Sequence, residues 1–152
     1  MSDLLTEPTE TTVVDRAALY AARREAENRR LLAQFDAEEL DAVRGLFETA
    51  RKHWDTGGGG TVARLLLGIY NGTRFPFDLT DLRRLDGRNL AMALTVLRMD
   101  AHYCRAEVHV ILSALLDDMT VQSRMEVWAY DMGLKHRAKK AEAEEMRRRV
   151  YP

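Results

Sequence analysis

The 152 residues predict an all-α, single-domain helical bundle of six to seven helices. Three observations lead there. Apolar residues recur at three- and four-residue spacing through most of the chain, as amphipathic helices require. Asp, Thr and Gly stand at the joints between those runs, where helices need caps and stops. The one segment with strand-like alternation, Val108, Val110 and Leu112, has no second strand to pair with.

Taken in order, residues 1–12 (MSDLLTEPTETT) read as a disordered acidic leader, with Pro8, four threonines and little to bury. From Val13 to Phe35 the spacing is helical but the apolar stripe is thin, and arginines and glutamates crowd the other face. Such a helix leans on a neighbour with one narrow side. Asp36, with Glu39 three residues on, has the spacing of a capping box. It opens a helix over 37–54 whose face is Leu40, Val43, Phe47, Ala50 and Trp54. Thr56 to Thr61 (TGGGGT) reads as a flexible linker, with Thr61 capping the next helix and Val62, Leu65, Leu66, Ile69 and Tyr70 as its buried face.

Asn71-Gly72 breaks that helix, and Gly72 is expected to supply a left-handed stop. The chain then turns an aromatic corner, Phe75-Pro76-Phe77, where Pro76 keeps Phe75 out of helical geometry. Two phenylalanines on a rigid proline read as a core plug. Asp78 caps a short helix bearing Leu79, Leu82 and Leu85, and Asp86 caps the next. The apolar run 89–100 (NLAMALTVLRMD) is expected at the centre of the bundle. Helices over 107–116 and 121–132 follow, the second capped by Thr120 and stopped at Gly133. The last helix, 135–149, shows almost no apolar face and reads as solvated or partner-seeking. The domain plan is a leader at 1–12, a helical domain at 13–134 and a basic C-terminal helix or tail at 135–152.

Composition narrows the function classes. The net charge is −1, so the chain lacks the overall basic character of a dedicated nucleic-acid binder. Basic residues gather at the end, where residues 135–152 hold seven Lys or Arg against three acids. The single cysteine, Cys104, excludes an intrachain disulfide. The start lacks the apolar core of a secretory signal, and no apolar run is long enough to cross a bilayer, so a cytoplasmic location is expected.

Candidate chemistry is thin. The glycine run lacks the Lys-Ser or Lys-Thr of a phosphate loop and follows a helix rather than a strand. Asp100, His102, Cys104, Glu107 and His109 are metal-capable, but His102 and His109 lie two helical turns apart and have no second pair to join. A polar helix junction with a buried structural Cys104 is the simpler reading. The carboxylate pairs Glu38/Glu39, Asp78/Asp81 and Asp117/Asp118 sit at helix starts, where capping accounts for them. No catalytic, cofactor or metal site is assigned on these grounds.

The run Tyr70-Asn71-Gly72, Phe75-Pro76-Phe77-Asp78-Leu79, Leu82 and Leu85-Asp86, followed by NLAMALTVLRMD, resembles a small uncharacterised helical domain family. That family occurs in proteobacterial plasmids and integrated mobile elements, and the resemblance covers roughly residues 60–110. It implies an accessory gene of a mobile element and carries over no functional residues. Asn71, Gly72, Phe75, Pro76, Phe77 and Asp78 are read as structural.

The expected function is a non-enzymatic protein-interaction module with a regulatory role, a counter-defence inhibitor that binds a host complex being one form. The partner is expected to be a protein, a second copy of the chain included. The alternative is a small DNA- or RNA-binding regulator using the basic C-terminal segment. The candidate interaction residues are Arg23, Arg24, Arg29 and Arg30 on the first helix. On the last segment they are Lys135, Arg137, Lys139, Lys140, Arg147, Arg148 and Arg149.

Overall fold

The computed structural model describes residues 10–134 and 138–152, and all regular structure among them is helical. In order the elements are α1 (Glu10–Leu32), α2 (Ala37–His53), α3 (Gly57–Tyr70), a 3-10 turn (Leu79–Arg84), α4 (Gly87–His102), α5 (Val108–Leu116), α6 (Val121–Asp131) and α7 (Lys140–Val150). The expectations for residues 1–9 of the leader, and those for Lys135 and Arg137, lie outside the described residues, while residues 10–12, read as part of the leader, open α1 instead.

The core forms around α3, which packs on α2, α4, α5, α6 and the 3-10 turn. Val62, Ala63, Leu66 and Leu67 are fully buried. The expectation that the run at 89–100 lies at the centre is therefore corrected. α4 buries Ala93, Val96 and Met99 against α2 and α3, while Leu94 on its other face is 53% exposed. Mean apolarity overstates burial here, because one covered stripe suffices to hold a helix.

The glycine run is also corrected. It is the first turn of α3, capped by Thr56, whose hydroxyl accepts from the Gly59 amide at 3.2 Å. Thr61 is buried inside the helix and donates to the Gly57 carbonyl at 2.9 Å. Tight packing explains the glycines. A Cβ at Gly59 would lie 1.9 Å from the His53 carbonyl oxygen, and one at Gly60 would lie 2.8 Å from that of Trp54. The start of α3 thus passes directly over the end of α2.

The elbow after α3 behaves as a core plug. Phe75 is 2% exposed and Phe77 packs against the core from the edge. Gly68 lets α3 seat it, since a Cβ there would meet the Phe77 Cβ at 3.1 Å and the Phe75 carbonyl at 3.3 Å. The expected left-handed stop at Gly72 is not found. Asn71 ends α3 with a negative φ of −157°, and its side-chain oxygen accepts from the Arg74 amide at 3.1 Å. The glycine with positive φ among the described residues is Gly133, at 67°. It closes α6 with paired bonds, Leu134 N–H to the Ala129 carbonyl and Gly133 N–H to that of Tyr130, in the Schellman arrangement.

The caps at Asp36, Asp78 and Asp86 fall where the sequence places them. Thr120 differs: its side chain makes no cap bond, and Asp118 instead accepts from the Thr120 amide at 2.8 Å. Asp117 ends α5 in the left-handed region, φ 48°, rather than starting a helix.

Candidate functional site: a projecting helix and a buried carboxylate

α1 is anchored at one end. Its final turn runs into Phe35, which is buried beneath the Arg105 guanidinium at 4.2 Å from the ring centre. The same guanidinium donates to the Gln34 carbonyl at 2.5 Å and to Glu39 Oε1 at 2.8 Å. Glu39 also accepts from the Asp36 amide at 3.1 Å, completing the capping box. One side chain thereby fixes both the start of α2 and the end of α1.

The other end of α1 is not held in this way. α1 packs on α5, and Arg24 bonds to Asp117 at the far end of that nine-residue helix. Upstream, every residue from Asp15 to Arg23 is exposed, and Leu19 and Tyr20 are each 71% exposed. Residues 10–23 amount to about 21 Å of helix at 1.5 Å per residue. Tyr20, Ala21, Arg24, Ala114 and Asp117 border a shallow cleft of about 510 Å³ where the arm leaves the body.

The predicted interaction residues fall into two groups on different elements. On α1, Arg23 pairs with Glu27 and Arg29 with Glu25, each at 3.0 Å, and Arg30 is exposed. At the C-terminus, α7 packs on α6 and buries Ala143 and Val150, which corrects the reading of this segment as solvated. Ala143 leaves little trace in the apolar pattern because a small side chain marks a close helix contact without adding apparent hydrophobicity. Arg147 binds Asp131 and lies 6.0 Å from the Tyr130 ring centre. Arg149 pairs with Glu145 at 2.5 Å and Lys140 with Glu144 at 4.0 Å. Lys139 precedes the helix and Arg148 is exposed.

No local pattern marks the one charged residue that is buried among the described residues, Glu126. Glu126 is 8% exposed, set among Met125, Val127 and Trp128 of α6. Arg74 grips it with two bonds, at 2.5 and 2.8 Å, and the Tyr70 hydroxyl donates to it at 3.0 Å. Gln122 in turn donates to the Tyr70 oxygen at 3.0 Å. The Arg74 guanidinium also covers the Phe75 ring at 4.6 Å. Burial, reinforced by the nearby Glu126 charge, raises the Tyr70 phenol above its usual range. Arg74, Gln122, Ser123, Glu126, Glu142, Met146 and Arg149 border a cleft of about 380 Å³ beside this group. Chemically the cluster is a clamp that ties the α3 elbow to α6. Its partners lie 52 and 56 residues apart, a separation no local pattern reveals.

The metal-capable residues do not converge. Among the described residues, no group of three or more His, Cys, Asp or Glu is placed to hold a metal ion. Cys104 is exposed rather than buried, because α4 ends at His102 and the chain runs over the surface there. His109 sits edge-on to the Tyr70 ring at 5.0 Å, and burial lowers its pKa against the opposing pull of Glu107. No helix is long and apolar enough to cross a membrane among the described residues.

A family model described as a family of unknown function, DUF7673, matches residues 40–129. That is more than half of the chain, which therefore belongs to this family. The matched segment runs from the first turn of α2 into α6 and leaves α1 and α7 outside it. No curated protein and no solved structure shows significant similarity to the chain.

Proposed function

We propose that the protein is a non-enzymatic interaction module that works by docking on another protein in the cytoplasm. The observation that carries this reading is the uncovered length of α1, with Leu19 and Tyr20 each 71% exposed. A helical stretch exposed along its whole length, as Asp15–Arg23 is, is marginal in water by itself, so a contact partner stabilises it. The family segment supplies a rigid core, and the arm attached to it supplies the contact. The resemblance of the Tyr70–Asp86 run to domains of mobile elements favours an accessory or regulatory role, a counter-defence inhibitor of a host complex included.

Nucleic-acid binding through the C-terminal segment is the second reading. The pairing of Arg147, Arg149 and Lys140 with acids of α6 and α7 weighs against it, since phosphate binding draws on uncompensated charge.

Affinity capture from host cells, with the wild type and the Leu19→Asp/Tyr20→Asp variant side by side, tests the reading. The expected result is a specific foreign protein retained by the wild type and lost by the variant. Equal retention by both, or a chain that instead shifts unrelated DNA with steep salt dependence, overturns it.

A further inference from the structure

We propose that the projecting arm of α1 pairs antiparallel with the same arm of a second copy of this chain. The proposal rests on the docking reading, that this surface is a contact face, and makes a second copy its occupant in the isolated protein, one that a foreign partner would displace.

The argument begins with the symmetry of the arm about Leu19. Asp15 lies one helical turn before it and Arg23 one turn after, so all three share a face. All three are exposed, and among the described residues none is tied to another element by an ion pair: Arg23 pairs with Glu27 of the same helix. A two-fold axis through Leu19 sets Leu19 against Leu19 of the second copy. The same operation sets Asp15 of each copy against Arg23 of the other, twice over, as an isologous contact requires. Tyr20 then lies against Ala18, a small residue that leaves room for the ring.

Charge along the helix favours the same direction. Residues 10–15 carry two acids and no base, while residues 16–30 carry five arginines against two glutamates. A parallel pair would align like with like, whereas an antiparallel pair brings the acidic start of each arm toward the basic half of the other. Like-charge juxtaposition is what makes the parallel alternative unfavourable.

Size sets the expected strength. Two arms of this length bury less than the roughly 1,200 Å² at which standard specific interfaces begin. The dimer is therefore a weak one, populated at roughly 10–100 µM chain and dissociated well below that.

Sedimentation velocity of the full chain from about 1 to 300 µM tests the pairing, with circular dichroism confirming unchanged helix content. The wild type is expected to shift from monomer to dimer across that range. Asp15→Arg and Arg23→Asp are each expected to remain monomeric, because each places like charges together twice. Mixing the two single variants restores a heterodimer, and the double variant Asp15→Arg/Arg23→Asp restores the homodimer. A wild type that stays monomeric at all concentrations overturns the proposal, as does a dimer indifferent to both single substitutions or not restored by the mixture. The outcome is separable from that of the docking reading. A monomer that still captures a foreign protein through Leu19 and Tyr20 refutes only the pairing. A charge-swappable dimer that captures nothing foreign refutes only the foreign partner.

Discussion

Removing the carboxylate of Glu126 is the sharpest test of what holds this fold together. In Glu126→Ala the Arg74 guanidinium loses a two-bond partner and the Tyr70 hydroxyl loses an acceptor. Breaking a buried ion pair from one side costs about 3–5 kcal/mol where the remaining group stays shielded from water. Here the Arg74 side chain is 29% exposed, so water reaches it and the lower end applies, about 3 kcal/mol. With a urea slope of about 2 kcal/mol per molar, the unfolding midpoint falls by about 1.5 M at pH 7. Glu126→Gln keeps an acceptor for Tyr70 and costs about 1–2 kcal/mol. The double variant Arg74→Met/Glu126→Leu removes both charges and recovers part of the loss, because no charge faces an apolar group, while the Tyr70 hydroxyl still lacks its acceptor. An alanine variant within about 0.5 kcal/mol of wild type, or a double variant as unstable as the two singles summed, refutes the clamp.

Further outcomes follow from the same geometry. Gly59→Ala places a methyl on the His53 carbonyl and destabilises by about 2 kcal/mol or more, whereas Gly57→Ala, with nothing within 4 Å, is neutral or stabilising by up to about 1 kcal/mol. Thermal unfolding of the two variants distinguishes a packed helix start from a linker, which would tolerate both. The folded pKa of Tyr70 is raised, so its contribution is whole below the unfolded value near 10 and is lost as pH rises through the folded value. Tyr70→Phe should flatten the fall in melting temperature between pH 9 and 11, and an unchanged slope contradicts the assignment. The folded pKa of His109 is lowered by burial, so its contribution is present above about 6.5 and is lost as pH falls through the folded value. His109→Phe should reduce the loss of stability between pH 7 and 5, as read from urea midpoints at each pH. Asp117→Gly relieves a left-handed residue and raises stability by up to about 1 kcal/mol, since the ion pair it gives up with Arg24 is largely exposed.

Local patterns in the sequence determined the elements. The three- and four-residue rhythm of Leu40, Val43, Phe47 and Ala50, the caps at Asp36 and Asp86 and the stop at Gly133 are short-range devices, and each appears where its residues require. Tertiary structure decided what those elements meet. The glycines at 57–60 look like a linker until the end of α2 is seen lying across them. Leu94 looks like core until α4 proves to be covered on one side alone. Glu126 finds Arg74 across 52 residues, and α1 outruns α5 because one helix is 23 residues long and its support is nine. Helix formation answers to neighbours within about four positions along the chain. Burial, ion pairing and overhang depend on distances in space, which only the packed molecule sets.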